Sequence, residues 1–335
     1  MRPPVRSPGS PLAATVLSIL GAAVACAASI VHLRAAGDAP ESMQELVVEG
    51  RHEGPRMWTV RRGDHTLWIL GTISPLPKKM VWQPDAVEEA LKQTQEVVPA
   101  WPSYGIGANP ITALRVYIAW RHLQKPADNL PLSQSLPPPL YARVEALRIR
   151  YAPHDNKIEQ MRPMLAAREL LNRVLDAAGL AARNEVQQEV LNLAARHGVR
   201  VHQDKVRIDD PVDVLKDVGA TPLAGEVACL DAVVTLLETD LVNMKARARA
   251  WALGDVEMLR QIPRADNRAA CIAAVSTSER VRSLIARAQD DWLIAVTDSL
   301  ARNRGTLAVQ SMDRLLGEHG ALATLRARGY TVEGP

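Results

Sequence analysis

Phenylalanine is absent from the 335-residue chain, and aromatic residues make up only 4% of it. Leu, Ile, Val and 7 Trp must therefore supply the bulk of any core. Cysteine is scarce: there are 3, at positions 26, 229 and 271, and none forms a Cys-x-x-Cys pair. The 8 histidines include no His-x-x-x-His pair, which excludes the helical zinc-protease motif. No glycine-rich loop has the spacing that cradles phosphates or dinucleotides. Ser74 lies in "GTISP" and not in a Gly-x-Ser-x-Gly elbow, and Pro75 after it has no backbone N–H for an oxyanion hole. Net charge is also missing once its source is located. Arg2, Arg6 and Arg34 precede the first acid, and residues 38–335 carry equal numbers of basic and acidic side chains. A neutral chain lacks the electrostatic footprint of nucleic-acid binding, so no nucleic-acid partner is expected.

What is present begins with an uncharged run, "LAATVLSILGAAVACAASIV" from Leu12 to Val31, behind Arg2 and Arg6. A basic start, an apolar middle and a small-residue exit predict a signal peptide or membrane anchor over 1–37, with the remainder exported to the periplasm or the outer face of the membrane. Cys26 after Ala23-Val24-Ala25 offers a lipidation site without the usual leucine; the alternative is a small apolar residue in a discarded peptide. If the run is retained, it tethers the protein to a membrane. Residues 38–56 read as a polar linker.

The arms "MWTV" and "TLWIL" around Gly63-Asp64 predict a β-hairpin. Helical spacing covers 85–95, a short strand 96–101, and a helix 108–125. Consecutive prolines make 131–140 a loop. Residues 141–196 are mostly helical, 199–203 a strand, and 223–303 a long helical region broken near Gly254 and Pro263. A strand at 306–310, a helix near 315–328 and a strand at 330–333 close the pattern. Strands near both ends with helices between predict an α/β fold: a mixed β-sheet core from the N- and C-terminal parts with a large helical insertion. Cys229 and Cys271 each occupy an Ala/Val-rich helical segment, and they are expected to form a disulfide; two separate buried thiols are the alternative.

The stretches "MWTVRRGDHTLWILGTISPLP", "DAVEEALKQTQEVVPA" and "TLAVQSMDRLLGEHGALATLRARGYTVE" resemble the terminal signatures of the TraB/GumN family, which includes the Tiki-type metalloproteases. The resemblance spans 57–333. It implies a divalent metal held by two Gly-x-x-His motifs and a glutamate, activating water for amide cleavage. Here Gly71 is kept, but Ser74 takes the place of the first histidine and Pro99 that of the glutamate. Ser311 replaces the second glycine and Arg314 the second histidine. The expectation is a metal-free relative that binds a protein or peptide partner and has no catalytic residues. The alternative is an active hydrolase using manganese, cobalt or zinc on displaced ligands such as His197, His202 and Asp204.

Overall fold

The computed structural model describes residues 54–335 apart from 79, 101–102, 107–108, 127, 182–184, 204, 209, 264–267 and 317–318. The expected leader at 1–37, Cys26 and most of the 38–56 linker lie outside the described residues; Gly54 and Pro55, at the linker's end, are buried.

The strands in chain order are β1 (Met57–Arg62), β2 (His65–Thr72), β3 (Leu76–Pro77), β4 (Glu96–Val98), β5 (Ser103–Ile106), β6 (Leu180–Ala181), β7 (Arg200–Val201), β8 (Lys205–Ile208), β9 (Gly305–Ser311) and β10 (Thr331–Glu333). Six of them form one mixed sheet in the order β10-β1-β2-β9-β4-β7. β10, β1 and β2 are antiparallel neighbours, whereas β2, β9, β4 and β7 run parallel. β3 pairs with β6, and β5 with β8, as two-stranded sheets. The expected α/β architecture is therefore present, its sheet assembled from the two ends of the fold.

Burial follows strand position. β9, in the sheet interior, is buried from Gly305 to Gln310, as a strand covered on both faces must be. β1 alternates instead, with Trp58 and Val60 inward and Met57 and Thr59 half-exposed. The hairpin turns at Gly63 with φ +59, a conformation glycine adopts at no steric cost. Leu67, Ile69, Leu70, Leu307 and Val309 are fully buried in the core around the sheet. The helix Glu279–Arg302 packs against β2, β9 and β4.

A second core belongs to the helices. Leu140 and Val144 of the helix Pro138–Tyr151, Leu170 and Val174 of Pro163–Ala177, and Leu230 and Val234 of Leu223–Thr239 pack together. Cys229 is bonded to Cys271 on the helix Arg268–Val275, their Cα atoms 4.4 Å apart. Arg162 and Glu226 form a buried ion pair, with Nε donating to Oε1 at 2.9 Å and Nη1 donating to the Gly219 carbonyl at 2.7 Å. Arg247 is paired with the buried Asp240, its Nη1 3.1 Å from Oδ1.

Several boundaries differ from the sequence expectation. Residues 131–140 are not a loop: Leu132–Ser135 makes a helical turn and the next helix begins at Pro138. Proline fits there because the first turn needs no intrahelical N–H. The region 223–303 also breaks at Asp240 and before Ser278, which caps the helix Glu279–Arg302 by accepting from Val281 N at 3.4 Å. The expected helix 315–328 is two pieces, Met312–Leu315 and Ala321–Ala327. A helix at Pro211–Gly219 was not anticipated.

Candidate functional site

Parallel neighbours end at the same edge of a sheet, and that edge is where open α/β folds place their ligands. The register sets Thr72 opposite Ser311 and Val98 opposite Ala308. Ser74 follows the end of β2 by two residues, Pro99 follows β4 directly, and Ser311 ends β9. Arg314 sits in the helical turn Met312–Leu315 that continues β9. Residues separated by up to 240 positions therefore lie at one carboxyl edge, spread over three adjacent strands. Ser74 is exposed, and Pro99, Ser311 and Arg314 are half-buried.

The floor beneath this edge is packed with indoles. Trp251 Nε1 donates to the Gly71 carbonyl at 2.7 Å, and Trp292 Nε1 donates to the Val309 carbonyl at 3.1 Å. A Cβ at position 71 would run into Met312 Sδ and the Trp58 ring, so close approach dictates the glycine here. Thr72 Oγ1 donates to the Gln310 carbonyl at 3.4 Å, and the Gln310 side-chain carbonyl accepts from Ser311 N at 2.9 Å. Ser311 Oγ is buried with no hydrogen-bond partner among the described residues.

These residues do not fit a divalent cation. Serine is a weak ligand, proline offers no side-chain donor atom, and a guanidinium has no lone pair to give and carries like charge. Among the described residues, no three His, Cys, Asp or Glu side chains gather as a metal-binding group. Of the displaced candidates, His197 is exposed beyond the helix Glu185–Arg196, and Asp204 lies outside the described residues. His202 is largely buried against Glu96, with Nδ1 and Oε1 3.1 Å apart.

Glu96 is the centre of a polar cluster that sequence reasoning missed. It opens β4, is 7% exposed, and its Oε2 accepts from Asn303 Nδ2 at 2.9 Å and Arg302 Nη2 at 3.4 Å. Burial alone pushes its carboxyl up, but hydrogen bonds from Ser299, His202 and Asn303, together with the charge on His202, outweigh burial and hold it below the ordinary value. The only sequence signal was an acid heading an apolar strand. The cluster ties β4, β7 and the end of the helix Glu279–Arg302 together.

Beside the carboxyl edge, the segment after Ser74 lines a groove of about 370 Å³. Leu76, Met80 and Trp82 supply apolar surface, and Glu185 and Glu189 supply charge. Trp82 is braced by Trp251, their ring centroids 5.9 Å apart.

A mixed six-stranded sheet closed from both ends of the chain, with helices between and a carboxyl edge carrying the turns Gly71–Ser74 and Ser311–Arg314, defines a mixed α/β protein. The model of the TraB/PrgY/gumN family matches residues 56–334, and the chain belongs to that family. No curated protein and no solved structure matches it significantly.

Proposed function

We propose that this chain is an exported member of the TraB/PrgY/gumN family that has lost metal-dependent peptidase chemistry and acts by binding a protein or peptide. The observation that carries the reading is the side-chain chemistry of one sheet edge. Ser74, Pro99 and Arg314 occupy the positions that the family resemblance gives to metal ligands, and none of the three suits that task. The edge offers hydroxyls and a guanidinium, groups that recognise a carboxylate. The neighbouring groove, with Trp82, Met80 and Leu76 beside Glu185 and Glu189, suits an apolar segment bearing basic side chains. Export is supported by Arg2, Arg6 and the uncharged run from Leu12 to Val31.

Calorimetric titration with manganese, cobalt and zinc tests the loss of the metal centre. The wild type should show no tight binding at this edge. Ser74→His alone should not create it, because two ligands are still missing and Arg314 still repels the ion. The combined Ser74→His, Pro99→Glu and Arg314→His protein, with Ser311→Gly to relieve the turn, should gain it. Tight binding by the wild type that is abolished by Ser74→Ala, or by His202→Ala, would overturn the proposal.

A further inference from the structure

The helices Pro110–Leu123 and Pro211–Gly219 pack against each other, yet between them only Leu123 is buried. Two apolar helices that bury so little of themselves are unusual, because most helical stability comes from packing an apolar face. Ile111, Leu114, Tyr117 and Ile118 remain exposed on the first helix. Between the two helices lies the largest of the cavities described, of about 600 Å³, a size suited to a small-molecule ligand.

Its walls are of two kinds. Ile118, Leu123, Val212 and Leu215 form an apolar side. Arg115, His122, Lys125, Arg162 and Lys216 form a basic side, and among the described residues no lining side chain is acidic. Three carboxylates nearby are already engaged. Asp213 accepts from Lys216 at 2.9 Å, Asp217 accepts from Ser278 Oγ at 2.8 Å and from Arg280 Nη1 at 2.9 Å, and Glu226 holds Arg162. The Arg115 guanidinium, which acts on Asp213 only at a distance, and the Lys125 ammonium make no ion pair or side-chain hydrogen bond among the described residues, so the cavity keeps an excess of positive charge. Asn129, the one non-glycine residue with positive φ (+52) among the described residues, also lines it.

We propose that this cavity is a binding site for an amphiphilic monoanion, a molecule with an alkyl or acyl body and a carboxylate or phosphate head. The body lies over the buried Leu123 and covers Ile118, Val212 and Leu215, which water otherwise wets, and the head meets Arg115 and Lys125 through charge-assisted hydrogen bonds. None of the lining residues belongs to the strands or turns that carry Ser74, Pro99, Ser311 and Arg314, so this site stands whether or not the sheet edge binds a peptide.

Calorimetric titration of the exported chain with decanoate, below its micelle concentration, tests the site against decanol and decyltrimethylammonium. Decanoate should bind with one-to-one stoichiometry, and more tightly than either control. Both Arg115 and Lys125 are exposed, so Arg115→Glu with Lys125→Glu should leave the fold intact. It should weaken decanoate at least about tenfold, the equivalent of one hydrogen bond to a charged group, while decanol changes little. Ile118→Asp should weaken all alkyl ligands together. Equal affinity for decanoate and decanol, or an unchanged decanoate affinity in the charge-reversed protein, would overturn the proposal. So would co-sedimentation with anionic phospholipid vesicles by a protein that leaves free decanoate unbound, since that result describes surface adsorption.

Discussion

Around the sheet, Leu67, Ile69, Leu70, Leu307 and Val309 are held by backbone ladders that join strands more than 200 residues apart. In the helical block, Leu140, Leu170, Leu230 and Val234 are just as deeply packed, but the long-range ties are side-chain ones: the Cys229–Cys271 disulfide and the Arg162–Glu226 pair, with Arg247 on Asp240 beside them. The difference has a physical origin. A strand finds its neighbour through directional N–H to C=O bonds, which also fix its register. Helices satisfy their backbone internally, so nothing in the backbone sets how one slides on another. Staples supply that missing constraint.

The largest expected effect breaks the comparison at its covalent point. Cys229→Ala with Cys271→Ala opens a sequence separation of 42 and should cost about 4 kcal/mol in the chain-entropy model, read from denaturant unfolding. Hydrogen exchange should quicken in Pro163–Ala177 and Leu223–Thr239 more than in β2 and β9. Equal loss in both would show one cooperative unit. Next comes the sheet: Gly71→Ala drives a methyl into Met312 and Trp58 and should cost about 2 kcal/mol, with the exchange pattern reversed. Trp251→Phe, which removes the donor to the Gly71 carbonyl, should lower stability by about 1 kcal/mol in the same assay.

The smallest effect is one of pH. The Glu96 carboxyl is held below its ordinary value near 4.5, so its contribution is present above that value and lost as the pH falls through the lowered one. Glu96→Gln should therefore flatten the acid limb of the melting temperature against pH. An unchanged slope would show that the cluster does not report on folding.

How much of this was legible in the sequence depended on whether partners were local. The hairpin was readable because Gly63-Asp64 separates two Trp-bearing arms, and the buried run "TLAVQ" announced β9. The pairing of β2 with β9 carried no local signal, and only the family resemblance implied that Ser74, Pro99 and Arg314 share an edge. The helix starting at Pro138 was hidden because proline reads as a breaker until its position in the first turn is known. Pairs β3–β6 and β5–β8 span two and four residues, too short for a periodic pattern. Arg162 and Glu226, 64 residues apart, carry no local sign of their pairing, and nothing in a three-residue strand marks Glu96 as the centre of a polar cluster.

The place of β9 also orders events in time. It lies between β2 and β4 in the sheet, yet it is synthesised more than 200 residues after either. Until Gly305–Ser311 has emerged, β2 and β4 each present a row of unpaired N–H and C=O groups, the kind of edge that captures other chains. A nascent chain can complete the β1–β2 hairpin and several of its helices early, because their contacts are local, but the sheet must wait for contacts of long sequence separation. From the emergence of Val98 until that of Gly305 the growing chain carries two unpaired edges at once.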